Sequence, residues 1–186
     1  ALDLSVLSQT PVKTIKAVEW LDTDSQSDLV RAPVLGTISI SGDKRRLIAG
    51  DFQADIEATA TATTSLAGLT VAGWLGRSIG GASLTEIRLA GGVGSVSVGA
   101  MRNTLLLVGV QPGVSAVPLN AQGFANSLAV LKSFTIRGLG AGDDFVNSSL
   151  ACWSIRSLTV RNVGTDNSAN GNADLVCFSF AKIGEC

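Results

Sequence analysis

The chain contains no histidine and no tyrosine, and it has only one methionine and three cysteines in 186 residues. Histidine is the commonest general base and metal ligand, so its absence excludes Ser-His-Asp catalysis, Cys-His catalysis and histidine-bound zinc. With 14 basic against 15 acidic residues, the total charge does not indicate a nucleic-acid-binding face. Three cysteines leave at least one unpaired, so a framework of disulfides is not indicated either.

Long apolar runs are also missing, although 46% of the residues are hydrophobic and the mean hydropathy is +0.37. The longest run, 105–110, is interrupted by Gly109, whereas a membrane-spanning helix needs about 18 apolar residues. We therefore expect no membrane span. The chain starts with Ala and shows no signal-peptide pattern. We expect one domain over 1–186, as a processed product or a segment of a longer protein or assembly.

What the sequence does contain is a repeat of the form apolar-x-x-apolar-x-apolar. Within each copy the apolar residues alternate with period two, which is typical of a strand. The central apolar residue of each copy, here called its anchor, returns every 23 to 38 residues. The anchors are Ile15, Ile38, Leu69, Val96, Phe134, Leu158 and, in a partial copy, Ile183. Four residues after an anchor stands Gly42, Gly73 or Gly138, with Ala100 and Asn162 in the same slot of two other copies.

Short strands, glycine corners and a repeat near 25 residues are typical of one turn of a parallel β-solenoid. The sequence therefore predicts an all-β solenoid of about seven irregular turns. An antiparallel β-sandwich is the alternative, but it does not explain the return of one three-position signature. Second strands are expected upstream of the anchors, near 47–56, 87–90 and 104–108. Insertions between anchors 96 and 134 and over 164–174 carry turn residues and are predicted to protrude as loops.

The last two copies align without a gap at an offset of 25, since LACWSI at 150–155 matches LVCFSF at 175–180. This alignment predicts that Cys152 and Cys177 lie side by side on neighbouring strands. Parallel in-register side chains point the same way, so a reduced ladder is favoured over a disulfide. Cys186 is either a free thiol or a crosslink to another subunit. Residues 1–11 are a candidate N-terminal cap.

Several copies resemble the Gly-rich repeats of large secreted or cell-surface bacterial proteins that form a right-handed parallel β-helix. The matching stretches are LGTISISG at 35–42, VGSVSV at 93–98, IRSLTV at 155–160 and NSSLACW at 147–153. The resemblance implies a right-handed helix, an extracellular location and a structural or adhesive role. It also implies that the partners are other solenoid segments or copies of the same chain.

Hydroxyl residues dominate the positions on either side of the anchors, which should face outward if the apolar positions face inward. Ten of these fourteen positions are Ser or Thr, and stacked strands would space them by about 4.8 Å. The candidate binding residues are Thr37, Ser39, Ser95, Ser97, Ser133, Thr135, Ser157 and Thr159. Such a lattice can dock on another sheet, a glycan or ordered water, although unequal spacing disfavours ice binding. The alternative is that Ser and Thr simply suit outward strand positions.

Charged residues give weaker candidates. Arg137 and Arg161 occupy the same position of two copies, and with Asp143 or Asp144 they form the one lyase-like constellation. Stacked loop carboxylates suit Ca²⁺, which makes weak ligand candidates of Asp143, Asp144, Asp166 and Asp174. No calcium-loop or nonapeptide motif accompanies them, so solvated turn carboxylates are favoured. We predict no metal and no cofactor.

The sequence thus favours a non-catalytic structural or adhesive module, secreted or at the cell surface, that associates with itself. A polysaccharide-binding module is the first alternative, favoured by a groove lined by Arg102, Arg137 or Trp153. A glycan lyase or hydrolase is the second, and it requires two carboxylates or a carboxylate–arginine pair in a cleft. The fold alone does not decide among them.

Overall fold

Parallel strands make up nearly all of the regular structure. The structure, a computed structural model, describes residues 2–24, 26–77 and 84–164, together with the strand pairing of 177–183. The strands are β1 (Val6–Leu7), β2 (Val12–Ala17), β3 (Leu29–Ala32), β4 (Leu35–Ile40), β5 (Asp55–Ala58), β6 (Leu66–Leu75), β7 (Thr85–Leu89), β8 (Val93–Arg102), β9 (Thr104–Val108), β10 (Val130–Ile136), β11 (Phe145–Val146), β12 (Ser149–Ile155), β13 (Leu158–Thr159) and β14 (Cys177–Ile183). One 3₁₀ turn, Ala121–Gly123, accompanies them. The predicted all-β class is confirmed.

The strands form one curled parallel sheet with two arms. The order β1-β3-β5-β7-β9-β12-β10-β8-β6-β4-β2 places the odd-numbered strands β1 to β9 in one arm and the even-numbered strands β2 to β10 in the other. The chain therefore crosses from arm to arm at almost every step. Strand β12 joins the arms, because it pairs with β9 at Ser149 to Cys152 and with β10 at Ser154 and Ile155.

A narrow third ladder connects the end of the even arm to the start of the odd arm. Trp20 bridges Phe52, and Phe52 bridges Leu75. Leu75 then pairs with Met101, and Met101 with Phe145. Strand β6 reaches this ladder by continuing past its arm, with a register irregularity between Val71 and Trp74. This path from even arm to third ladder to odd arm is consistent with a β-solenoid.

Six of the seven repeat anchors stand beside one another, as predicted, whereas Ile183 pairs with Ile155 instead of Leu158. Ile15, Ile38, Leu69, Val96, Phe134 and Leu158 occupy one continuous register column. The anchors of β4, β6, β8 and β10 are at most 1% exposed. Each fully buried side chain of this size contributes about 1.5–3 kcal/mol, so the column is a main source of stability. The last anchor of the column is no longer buried, since Leu158 is 40% exposed.

The predicted glycine corners hold at three of the five slots. Gly42, Gly138 and Asn162 have φ of 65°, 86° and 47°, the left-handed region that glycine and asparagine tolerate best. Gly73 and Ala100 instead lie inside β6 and β8, which run straight on. Gly73 is required there for space, since a Cβ would overlap the Asp51 carboxylate and approach the backbone of the neighbouring turn.

Two predicted strand placements are wrong. Residues 47–56 begin in a turn, with Leu47 left-handed and 93% exposed, and the strand starts only at Asp55. The last strand pairs at an offset of 28 rather than 25, which sets Cys177 beside Ser149 and Ile183 beside Ile155. This register puts Phe180 beside buried Cys152, so apolar residues share a column, as strand stacking favours. The predicted cysteine ladder is therefore absent.

Within the described part of the chain, the structure contains no helix with the length and apolar character needed to cross a membrane.

Candidate functional site

The outward residues of the even arm form two register columns, which we call the hydroxyl face. The first column contains Thr14, Thr37, Gly68, Ser95 and Ser133. The second contains Lys16, Ser39, Thr70, Ser97, Thr135 and Thr159. Their side chains are exposed or half-buried except at Gly68, which is buried. Ser157 is exposed just before β13, where its carbonyl accepts a hydrogen bond from Phe134 at 2.9 Å.

Arg137 lies across the end of the hydroxyl face. Its guanidinium donates to the Ser97 hydroxyl at 2.7 Å and to the Val71 carbonyl at 2.6 Å. Arg161 is exposed, and its Cδ lies 3.7 Å from where a Cβ on Gly138 would stand. Arg137 thus ties the end of β10 to β8 and β6.

The two aspartates of the glycine corner have different environments. Asp143 is exposed, as expected of a turn carboxylate, but Asp144 is 3% exposed. One Asp144 oxygen accepts from the Leu139 N–H at 2.9 Å and the other from the Asn162 amide at 2.7 Å. The expectation of a solvated carboxylate is therefore wrong at Asp144, because the bent corner leaves donors that this side chain satisfies. The other weak calcium candidates, Asp166 and Asp174, lie outside the described residues, as does Cys186.

The residues named for a saccharide groove point to different places. The Arg102 guanidinium stacks over the Trp74 ring at 4.9 Å. Trp153 packs edge-to-face on Phe124, with ring centroids 5.8 Å apart. Arg137 belongs to the hydroxyl face. None of the three residues lines either of the two cavities described next.

The outward face of the odd arm carries a ladder of opposite charges that sequence reasoning missed. Arg31, Glu57 and Arg88 stand in one register column of β3, β5 and β7. Arg31 pairs with Glu57 at 3.2 Å, and Arg88 pairs with Glu86 at 2.7 Å. The available signal was the alternation Asp55-x-Glu57 and Glu86-x-Arg88, since strand residues two apart share a face.

Two adjoining cavities follow this ladder, and together we call them the charged groove. The first, of about 280 Å³, is lined by Leu29, Asp55, Ile56, Glu57, Glu86 and Arg88. The second, of about 230 Å³, is lined by Glu57, Ala58, Thr59, Thr61, Arg88, Ala90, Val110, Pro112 and Ala125. Glu57 and Arg88 line both cavities. The groove therefore has a polar end and an apolar end.

The long insertion between β9 and β10 forms one wall of the charged groove. Arg88 donates to the carbonyls of Gln111 at 3.2 Å and Val114 at 2.6 Å. Phe124 packs in a second apolar cluster with Leu105 and Leu107, which lie on the outer side of β9. The predicted loop is thus a cover on the odd arm, held at one end by Arg88 and at the other by apolar contacts.

The groove offers hydrogen-bond acceptors beside an apolar wall. Carboxylates on Glu57 and Glu86 accept from hydroxyl donors, while Arg88 donates and also neutralises charge. Such a mixture suits a ligand rich in hydroxyl groups. Comparison of the chain with family models, curated proteins and solved structures found no match.

Proposed function

We propose that the chain is a non-catalytic structural or adhesive module, secreted or at the cell surface, built as a right-handed parallel β-helix of about seven irregular turns. The path through two arms and a third ladder supports a coil. Parallel strands joined by crossovers are right-handed in about 98% of cases, which supports the hand. The resemblance of the repeats to large secreted bacterial β-helices supports the location.

The hydroxyl face is the observation that carries this proposal. Hydroxyls both donate and accept hydrogen bonds, so two copies of this face are complementary to each other. The face is backed by anchors that are at most 1% exposed on β4, β6, β8 and β10, and it is therefore rigid. A rigid and self-complementary face loses little conformational entropy on docking. Lateral association of two copies through the hydroxyl face follows.

The first strand of each arm, β1 or β2, is poorly suited to pairing edge to edge with another chain, which favours docking through the hydroxyl face. Strands β1 and β2 each have one strand neighbour among the described residues. Strand β1 is only two residues long, and β2 follows Pro11 and carries exposed Lys13 and Lys16. Short strands, proline and lysine are features that block edge-to-edge pairing.

Sedimentation velocity over a concentration series tests the proposal. We expect the wild-type chain to dimerise or form larger species by about 100 µM. The double substitution Thr70→Glu and Ser97→Glu places two like charges in one column of the face, and it should leave a folded monomer. The matched control, Ser115→Glu with Ser127→Glu, adds the same charge at exposed sites off the face and should still associate. A monomeric wild type, or equal loss of association in both variants, contradicts the proposal.

The charged groove supports a second function, polysaccharide binding. The supporting observation is that two adjoining cavities share Glu57 and Arg88 beside an apolar wall. A glycan-array screen followed by calorimetry should identify a ligand whose affinity falls about tenfold in Glu57→Gln and in Glu86→Gln, since each loses a charged acceptor. Asp143→Asn, an exposed acidic site outside the groove, is the control.

The glycan identified in this way also shows whether the module only binds its ligand or cleaves it. If the bound glycan keeps its length during long incubation, the module binds without cleaving. Shortened products that disappear in Glu57→Gln would instead indicate a lyase or hydrolase. A screen without any bound glycan contradicts this second function and leaves the hydroxyl-face proposal to its own test.

A further inference from the structure

A buried arginine stands next to the third ladder. Arg77 is 8% exposed in its side chain and donates to Asp22 at 2.8 Å and to Asp55 at 3.0 Å. Burial opposes its charge, but hydrogen bonds and attraction from Asp22 and Asp55 outweigh it and raise the pKa of Arg77. Arg77 thus ties Asp22, which follows β2, to Asp55 at the start of β5.

Asp22 has one oxygen that this arginine does not use. Its side chain is 5% exposed, and Oδ2 accepts from the Nε of Arg77. Oδ1 is buried and has no hydrogen-bond donor among the residues that the structure describes. A buried carboxylate oxygen without a hydrogen-bond partner is costly, and a cation bound to Oδ1 would remove that cost.

Two more carboxylates stand at the same place. One carboxylate oxygen from each of Asp3, Asp22 and Asp24 lies within 4.8 Å of those from the other two. The chain brings Asp3 here through the bridge between Leu2 and Leu21. The Asp3 N–H also donates to the Leu21 carbonyl at 3.1 Å.

Asp3 is held in place by two hydrogen bonds. Its two oxygens accept from the N–H of Thr23 at 2.6 Å and from the Thr23 hydroxyl at 2.7 Å. Each oxygen keeps a second lone pair for a further ligand. Asp3 thus presents carboxylate oxygens in a fixed position beside Asp22.

Charge and geometry together select the ligand. Three carboxylates meet here, whereas the one described cation that contacts them, Arg77, is shared with Asp55. Calcium binds several oxygen ligands in a flexible geometry, so it suits carboxylates contributed by separate segments of the chain. Magnesium needs a near-ideal octahedron and gives up its water ligands reluctantly, so it suits this arrangement less well. We propose that Asp3, Asp22 and Asp24 bind one calcium ion.

A calcium ion bound here would hold two segments of the chain together, which is a role separate from docking through the hydroxyl face. Asp3 belongs to the segment before β1, while Asp22 reaches the buried Arg77. A bound ion would therefore clip the first residues of the chain to the third ladder. It would also remove the repulsion among three carboxylates.

Calorimetric titration of the EDTA-treated full chain with CaCl₂ tests the site. We expect one ion per chain with a dissociation constant of about 10⁻⁴–10⁻³ M, the range of extracellular calcium modules. MgCl₂ should bind at least about tenfold more weakly. Thermal unfolding should shift upward with CaCl₂, because the ion binds the folded state.

The variants are chosen to keep the chain folded. Asp24→Asn changes an exposed ligand away from Arg77, and Asp3→Asn keeps an oxygen for the Thr23 hydrogen bonds. Each should weaken calcium binding by at least about tenfold, while the control Asp143→Asn binds as the wild type does. No saturable binding by the wild type would overturn the proposal. So would unchanged binding in both Asp24→Asn and Asp3→Asn, or an equal loss in Asp143→Asn.

Discussion

At the scale of the residue, a comparison of two glycines distinguishes the cost of a strained backbone conformation from the cost of steric overlap. Gly76 and Gly140 have φ of 108° and 134°, where side chains are disfavoured. A Cβ on Gly76 would overlap the carbonyl oxygen of Arg102 and the hydroxyl of Thr104. A Cβ on Gly140 would meet nothing within 4 Å. Of these two positions, only Gly76 therefore also needs glycine for lack of space, because the neighbouring strands pack closely there.

Gly76→Ala should lower the free energy of unfolding by about 2–6 kcal/mol, because strain and overpacking each cost about 1–3 kcal/mol. Gly140→Ala should cost only the strain, about 1–3 kcal/mol. Urea denaturation of both variants measures the two losses. Equal losses would show that overlap with Arg102 and Thr104 is relieved by a backbone shift.

Cys152 links stability to pH. Burial raises the pKa of its thiol to about 12, from 9.0 when exposed. The folded state therefore keeps the proton that the unfolded state loses above pH 9. The resulting stability is complete below that pH and falls as the pH rises toward 12, by up to about 1.4 kcal/mol per pH unit.

Cys152→Ala removes this linkage. The difference in unfolding free energy between wild type and Cys152→Ala should therefore shrink between about pH 9 and about pH 10.5. Urea titrations at both pH values provide the measurement, and lysines and arginines titrate alike in the two proteins. A difference that stays constant would mean that the thiol is reached by water.

At the scale of the element, β9 shows how an insertion becomes part of the fold. All five residues of β9 are buried, although only one face of a strand can point to the central core. Phe124 and its neighbours in the insertion cover the other face at Leu105 and Leu107. An unbroken apolar run is typical of a strand buried on both faces, so the run 105–108 was a readable signal for this cover.

Phe124→Ala should release that cover. We expect a loss of about 3 kcal/mol if the insertion is coupled to global unfolding, and a red shift of Trp153 fluorescence as its ring is exposed. Limited proteolysis should then cut within 109–129. Leu119→Ala, at a side chain that is 97% exposed, is the control and should leave all three measurements unchanged. Resistance of the Phe124→Ala insertion to proteolysis would contradict this role.

The anchors could be predicted because a buried column admits only apolar residues, and all six from Ile15 to Leu158 are in register. The register of β14 could not, since an apolar match at an offset of 25 competes with one at 28. The charged groove and the Asp22 cluster escaped prediction for another reason. Their members come from different strands and corners, and only the stacking of those segments brings them together.

At the scale of the whole molecule, stability should vary along the stack. Each strand is supported mainly by its neighbours, so local opening is easiest where a neighbour is missing. Strands β6 and β8 have partners on both sides, whereas β1 and β2 end the sheet. Hydrogen exchange should therefore be slowest in 66–75 and 93–102 and fastest in 6–7 and 12–17. After correction for intrinsic rates, uniform protection would instead indicate a single cooperative unit.

Strand β12 has a mechanical consequence. It pairs with β9, with β10 and with β14, and among the described strands it alone pairs with strands of both arms. When force is applied to the chain ends, strands lying side by side should peel away one after another at low load. Strand β12 must release both arms before it yields, so it should stop the peeling. A force–extension trace should therefore show its largest rupture as β12 leaves, with the turns on either side lost in smaller steps.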